Sequence, residues 1–292
     1  MLVTIGISFY NTETTLAEAI RSVFAQTFED WELLLVDDGS TDRSLDIARS
    51  VQISKVRVIA DGMNRGIPVR LNQINQEAKG KYIARMDGDD MMCPQRIERQ
   101  VEFLEEHLDV DLVDTGVYSI DHSGQPKGKR GVAPLDPAPL TFLKGHGLIQ
   151  PALLGRSEWF RRNPYDVHFR RAEDHELWCR VLGKAVFARM KEPLFFYRES
   201  DRRSPSSYFA SLYYERKALR RHGPRLVGYG LTQRLILRSY LKSIIYWVMW
   251  ISGTRKFLIR KRNVPLSEEE RRSVTAVIER IRKTPVPGMV VK

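Results

Sequence analysis

The stretch "LLLVDDGSTD" (residues 33–42) runs four apolar residues straight into two adjacent carboxylates, Asp37 and Asp38, and then into Gly39, Ser40, Thr41 and Asp42. A short apolar run bounded by turn-forming residues reads as a buried strand. Two charges at its tip have two readings: they close a turn, or they are the working end of a rigid post. Upstream, "LVTIGIS" (residues 2–8) is a second short apolar strand. Between the two, "TTLAEAIRSVFAQ" (residues 14–26) sets Leu16, Ile20, Val23 and Phe24 at helical spacing, and Thr15 and Glu18 stand at capping-box spacing. Downstream, a short helix follows a Ser40-Thr41-Asp42 cap, then come a strand in "KVRVIA" (55–60), a helix in "IPVRLNQINQEA" (67–78) closed by Gly80, and a strand in "YIARMD" (82–87). This rhythm predicts an α/β fold, a Rossmann-type, mostly parallel sheet flanked by helices.

Past this block, Pro94 opens a helix over "PQRIERQVEFLEEH" (94–107), and "VDLVDTGVYSIDHSG" (110–124) reads as strands with a turn at Asp121 to Gly124. A Gly-, Pro- and Lys-rich loop is expected over roughly 124–139. A strand in "ALLGR" (152–156), a helix in "EDHELWCRVL" (173–182) and strands in "AVFARM" (185–190) and "LFFYR" (194–198) follow.

Composition narrows the class. Apolar residues make up 42% and charged ones 28%, which excludes wholesale disorder. Cys93 and Cys179 have no metal-ligand spacing and cannot build a disulfide framework, as suits a reducing compartment. The chain opens as a strand with no basic leader, so no signal peptide is expected and the expected location is cytoplasmic. The net charge of +11 is unevenly spread: residues 202–292 hold 21 Lys and Arg against 5 Asp and Glu, whereas residues 1–201 hold 26 against 31. A mildly acidic body with a basic tail argues against nucleic acid as partner and places a boundary near Asp201.

In an open α/β sheet, ligands bind outside the carboxyl ends of the strands. There the predicted strands deliver Ser8 and Tyr10, Asp37 and Asp38, and Asp87, Asp89 and Asp90. So much negative charge on one rim calls for a cation, and hard carboxylate oxygens suit Mg²⁺ or Mn²⁺ with substrate phosphates among the ligands. Neither a P-loop nor GxGxxG follows the first strand.

"ISFYNTETTLAEAIRSVFAQTFEDWELLLVDDGSTD", "NRGIPVRLNQ", "GKYIARMDGDD" and "AEDHELW", in that order over about residues 1–200, resemble the family 2 glycosyltransferases of the GT-A fold, the type found in bacterial polysaccharide assembly. The resemblance implies inverting transfer of a sugar from a nucleotide-diphosphate sugar, commonly a UDP-sugar, to an acceptor hydroxyl. It implies that Ser8 and Tyr10 lie near the nucleobase, with Tyr10 stacked on it, that Asp38 accepts a ring N–H with Asp37 beside it, and that Arg70 lies near the diphosphate. Asp89 is expected to hold the metal, and Asp87 the ribose or the metal. Asp174 matches the general base, with the cap of its own helix as the competing reading, and Glu173 is the weaker candidate. Trp178 is expected to line the sugar or acceptor site, and His146 with Gln150-Pro151 stands where relatives carry an acceptor-loop motif. One departure is visible: Ser200 stands where many relatives have a histidine, leaving Arg198, Arg202 or Arg203 as substitutes.

In the tail, helices are expected over 206–222 and 229–251. In the second, Arg234, Arg238 and Lys242 recur every four residues among Leu, Ile and Trp, and "RKFLIRKR" (255–262) follows. The apolar run from Ile244 to Ile251 is too short to span a bilayer, which takes about 20 residues. A basic helix bearing tryptophan reads as lying in the plane of an anionic membrane, or as packing on protein. The whole is then a metal-dependent glycosyltransferase at residues 1–201 with a basic helical extension at 202–292, peripheral on the inner face of a membrane and acting on a saccharide or lipid-linked acceptor. The competing readings are a binding module on a degenerate transferase scaffold, which intact Asp38, Asp89 and Asp174 argue against, and a nucleotidyltransferase, which needs a basic triphosphate loop that "FYNTETT" is not.

Overall fold

Val3–Phe9 (β1) and Trp31–Asp37 (β2) are buried along their whole length, as expected of continuous apolar strands covered on both faces. The computed structural model describes residues 1–199, 204–252 and 263–289. Val56–Ile59 (β3) and Tyr82–Asp87 (β4) complete a parallel block in which β1 pairs with β2 on one side and β4 on the other. Met91–Met92 (β5), Leu112–Ile120 (β6), Pro126–Arg130 (β7), Leu154–Arg156 (β8) and Phe187–Arg198 (β9) extend it into a nine-stranded sheet of order β3-β2-β1-β4-β8-β6-β9-β5, with β7 paired to β6. The parallel pattern stops at β4: β8 is antiparallel to both β4 and β6, so the sheet as a whole is mixed.

The chain moves outward from β1 to β2 and β3, then crosses back to β4 on the other side of β1. The crevice at this reversal, at the carboxyl ends of β1, β2 and β4, is where such a sheet offers a binding site. Leu16–Phe24 (α1) buries Leu16, Ile20 and Val23 against the core of Val3, Ile5, Leu33, Leu35 and Ala84. Ser44–Ser50 (α2), Ile67–Glu77 (α3) and Arg96–Glu106 (α4) complete this part. Leu71 and Ile74 of α3 join Leu34, Val36 and Ile83 in a second core on the other face.

Several local expectations need correction. Thr15 does stand at the N-cap of α1, but no capping bond forms: its hydroxyl donates to the Gly88 carbonyl at 3.2 Å, while the Glu18 carboxylate takes Arg198 and Arg282, each at 2.8 Å. The expected loop after Gly124 begins with β7, and the two strands expected over 185–198 are one, β9, interrupted by register shifts near Pro193. Four short elements are additional: Met91–Met92 (β5), Pro139–Leu143 (α5), a 3₁₀ turn at Gln150–Ala152 and Ser157–Arg162 (α6). Glu173–Val181 (α7) forms where expected.

Beyond residue 203, Pro205–Val227 (α8) and Tyr229–Ile251 (α9) form a helical hairpin around Gly228, and Glu268–Arg282 (α10) returns to the sheet. Val274, Ile278 and Ile281 of α10 pack with Met91, Ile120 and Phe196, and Val286 enters the main core. Ser267 and Glu270 cap α10 reciprocally, a capping box of the kind expected for α1. The boundary near Asp201 and the "RKFLIRKR" run lie outside the described residues.

Candidate active site

At the end of β2 the two carboxylates part ways. Asp37 turns back and accepts the Ser40 N–H on both oxygens, at 3.1 and 3.2 Å. Gly39 allows this turn: its φ is +74°, and a Cβ there would sit 2.6 Å from the Met63 backbone. Asp38 reaches toward α3. Its Oδ1 accepts the Arg65 N–H at 2.8 Å, the Gly66 N–H at 3.1 Å and Arg70 Nε at 2.9 Å, and its Oδ2 shares only the Gly66 N–H, also at 3.1 Å.

The "GSTD" turn has a job of its own. Ser40 Oγ accepts the Asn11 N–H at 3.1 Å, Ser44 Oγ accepts that of Thr12 at 2.8 Å and Asp42 Oδ2 that of Glu13 at 3.0 Å. In return Asn11 Oδ1 accepts the Thr41 N–H at 2.8 Å, with Asn11 itself at φ 51°. These bonds knit the loop after β1 to the loop after β2. Ser8 is buried at the end of β1, while Tyr10, two residues on, is about half exposed on the rim.

Arg70, expected near a diphosphate, is tied to neighbouring protein groups. It is fully buried, and all five of its N–H donors are engaged: Asp38 through Nε, Asp61 and Gln73 through Nη1, Asp61 again and the Met63 carbonyl through Nη2. In return the guanidinium holds the Asp61 carboxyl below the usual carboxylate range. Arg70 orients Asp38.

After β4, Gly88 lets the chain press against β1, since a Cβ there would meet the Phe9 side chain at 2.8 Å. The carboxylates of Asp87, Asp89 and Asp90 converge, with one oxygen of each within 4.8 Å of the others. Burial, and then the Asp87 charge, push Asp89 up to about 6; burial and the charges of Asp89 and Asp87 push Asp90 up as well. Three crowded carboxylates, with Asp89 and Asp90 pushed upward, fit a hard divalent cation such as Mn²⁺ or Mg²⁺, whose charge would relieve the repulsion. The arginine considered as a substitute for the missing histidine is engaged elsewhere: the Arg198 backbone N–H donates to Asp90 Oδ1, and its side chain to the Asp89, Asp121 and His122 carbonyls and to Glu18. Ser200, Arg202 and Arg203 lie outside the described residues.

The third group stands at the start of α7. The helix N-cap is Ala172, a left-handed residue at φ 54°, so the capping role weighed for Asp174 falls elsewhere. Backbone held in this region by a residue other than glycine is a cost that recurs at functional sites. Asp174 Oδ1 accepts its neighbour's N–H, from His175, at 2.7 Å. Burial raises Asp174, and burial plus the Asp174 charge push Glu173 up to about 8. The two carboxyls titrate as one interacting pair, with the Asp174 charge helping to hold the proton on Glu173.

Arg85, in the middle of β4, is the cation behind this pair. It is fully buried, donates to Asp87 Oδ1 at 3.1 Å, and pulls the pKa of both Glu173 and Asp174 down against the effect of burial. The sequence carried the signal, an arginine inside the otherwise apolar "YIARM", but the strand's tip drew attention away from it.

A cleft of about 650 Å³ joins the end of β2 to the start of α7, and Asp87, Asp89 and Asp90 do not line it. Tyr10, Asp38 and Arg65 line one end, and Gln150, Glu173 and Asp174 the other, with Arg170 and Arg171 beside them and Ser207, Tyr208 and Ser211 of α8 forming an outer wall. Trp178 is not part of it. It is buried in the core, with its ring 6.5 Å from Trp159 and edge-on to Phe187 at 5.6 Å. His146 is exposed on the turn after α5, where its N–H donates to the Thr141 carbonyl, and does not line this cleft.

A mixed sheet with carboxylates at the ends of β2 and β4 and a cleft closed by a carboxylate-bearing helix is the architecture of a GT-A sugar transferase. Residues 4–172 match the glycosyl transferase family 2 model, and the chain belongs to that family and is a glycosyltransferase. It is 35% identical over 204 residues to the putative glycosyltransferase EpsE of Bacillus subtilis, covering 68% of this chain and 73% of that one. It is 29% identical over 182 residues, 62% of this chain and 70% of the other, to the UDP-Glc:alpha-D-GlcNAc-diphosphoundecaprenol beta-1,3-glucosyltransferase WfgD of Escherichia coli. Among solved structures, S. aureus TarS 1-349 in complex with UDP-GlcNAc shares the fold, with a TM-score of 0.62 at 16% identity over 98% of this chain and 82% of that one.

Proposed function

We propose that the protein transfers a sugar, with inversion, from a nucleotide-diphosphate sugar to an acceptor hydroxyl, with Asp174 as general base. The observation that carries this reading is the single cleft lined by Tyr10 and Asp38 and by the adjacent carboxyls Glu173 and Asp174. Tyr10 is exposed enough to stack on a base, and Asp38 Oδ2 has a lone pair left for a ring N–H. A UDP-sugar is the donor best supported, because WfgD is named for UDP-Glc and TarS structures hold UDP and UDP-GlcNAc.

A divalent cation held by Asp87, Asp89 and Asp90 would supply Lewis-acid stabilisation of the departing diphosphate. Asp174 takes the acceptor proton as the hydroxyl attacks, and one such base on the far face of the sugar gives inversion with no covalent enzyme intermediate. Glu173, pushed up to about 8, leaves Asp174 as the acceptor of that proton, and the His175 N–H and then Arg85 oppose the burial that raises Asp174. The proposed catalytic and metal residues all precede residue 201, and the acceptor is a saccharide or a lipid-linked one in surface polysaccharide or glycolipid assembly, met by a peripheral enzyme on the cytoplasmic face of a membrane.

A screen of nucleotide-sugars with Mn²⁺ or Mg²⁺, following nucleotide release, tests this. Release from at least one donor, lost in Asp89→Ala, is expected; no donor bound or turned over, with Asp89→Ala behaving as wild type, would overturn it.

A further inference from the structure

The α8–α9 hairpin is packed inside out. The face of α9 against α8 carries Thr232, Ser239 and Ser243 among its apolar residues, and the two serine hydroxyls accept from Arg216 of α8 at 3.3 and 3.1 Å. The opposite face carries Leu237, Leu241, Ile244, Val248 and Ile251, each more than half exposed, at spacings of four and three residues that form one stripe. A contiguous exposed apolar face of this size marks an interaction surface. Arg234, Arg238 and Lys242 run along one edge of the stripe, and α9 contains no Asp or Glu.

The charges choose between occupants. A second copy seated on the stripe would bring two rows of cations to the flanks of one seam, where like charges oppose pairing. An anionic lipid surface meets the same row favourably while its acyl boundary takes up the leucines, isoleucines and exposed Trp247 and Trp250. Among the described residues no helix is long and apolar enough to cross a membrane, so α9 would lie along the surface.

The hairpin is also tied to the cleft. Tyr246 of α9 stacks on Tyr208 of α8 with ring centroids 3.7 Å apart, and Ser207, Tyr208 and Ser211 are the cleft's outer wall. Arg171, beside Asp174 in the lining, donates to Ser207 Oγ at 2.8 Å. We propose that α9 docks its apolar stripe on an anionic membrane and thereby holds the α8 wall of the cleft at the lipid surface, so that an acceptor anchored in that membrane enters past Arg170 and Arg171. The docking stands on the α9 surface alone; the acceptor's route rests on the transferase reading.

The test uses the full chain with phosphatidylcholine vesicles, with and without about one third phosphatidylglycerol, the amount chosen to give a strongly anionic surface. Wild type is expected to co-sediment with the anionic vesicles and much less with the neutral ones. Replacing the cations together (Arg234→Gln, Arg238→Gln, Lys242→Gln) should weaken binding about a hundredfold, at roughly fivefold per charge. Replacing Leu237, Leu241 and Ile244 by serine should weaken it at least about tenfold. Both variants should keep wild-type nucleotide release from donor in the absence of membrane, which also shows that they fold. Wild type left in the supernatant, or the serine variant pelleting like wild type, overturns docking. So does a wild-type dimer that the serine variant converts to monomer, because a second copy then covers the stripe. Vesicle binding with no turnover of any nucleotide-sugar would keep the docking and defeat the transferase reading instead.

Discussion

Asp37–Asp38 and Glu173–Asp174 are both adjacent carboxylates on the rim of one sheet, and the protein treats them in opposite ways. At β2, backbone N–H groups of Ser40, Arg65 and Gly66 and the guanidinium of Arg70 converge on the pair. At α7, Asp174 has one N–H, from its own neighbour, and both carboxyls are pushed upward by burial. Hydrogen bonds to a carboxylate favour its charge and desolvation opposes it. The first pair is therefore held in place by donors, part of the frame that holds two loops and a helix together. The second is poised to exchange a proton. Residues of the same type at neighbouring strand and helix ends divide into scaffold and reagent by the donors around them.

The sharpest way to break this contrast is to neutralise one member of each pair. Asp174→Asn should lower turnover by about a thousandfold at unchanged thermal stability, the scale of losing a general base. Glu173→Gln should stay within a few-fold of wild type, since Glu173 already carries its proton at neutral pH. If Glu173→Gln proves the inactive one and Asp174→Asn the active one, the roles are reversed. Asp38→Ala should show itself in stability. It leaves Arg70 buried without its Nε partner, a loss of about 3 kcal/mol read from denaturant unfolding. A wild-type unfolding curve for this variant would mean that the donors around Asp38 hold nothing in place. Asp89→Asn is a smaller and more local change, expected to weaken Mn²⁺ binding at least about tenfold by titration calorimetry. Equal affinity would remove Asp89 from the cation site.

What the sequence displays and what it hides follow the same division. The parallel block β1 to β4 is legible because each strand is a short apolar run with turn chemistry after it, and the carboxylates at the tips announce themselves. Partners distant in the chain are not legible. Glu18 looks like half of a capping box, yet its oxygens belong to Arg198 and Arg282, and nothing local to α1 shows either arginine. Arg70 on an amphipathic helix reads as a surface or ligand-facing charge until Asp38 and Asp61 are found closing over it. Trp178 stands one helical turn beyond Asp174, and burial against Trp159 and Phe187 decides for core. β7, "PKGKR", carries no apolar alternation because it is a polar strand added at the side of β6. The apolar content of α9 was plain, but only packing shows that its serines face inward and its leucines outward.

The smallest effect is the most specific to the proton on Glu173. Its carboxyl titrates near 8 in the folded protein against an ordinary value of 4.5. Between those values the folded state holds a proton that the unfolded chain has released, so this group's contribution to stability falls as pH rises through that window. Below the ordinary value both states are protonated and the group adds no pH dependence. Glu173→Gln fixes the neutral form. Relative to wild type, its melting temperature should therefore be unchanged near pH 4 and higher by several degrees near pH 8, the gap widening steadily between. A Glu173→Gln gap of the same size at both ends of the range would mean that the carboxyl titrates alike in the folded and unfolded chain, and the contrast between the two pairs would then rest on the kinetics of Asp174 alone.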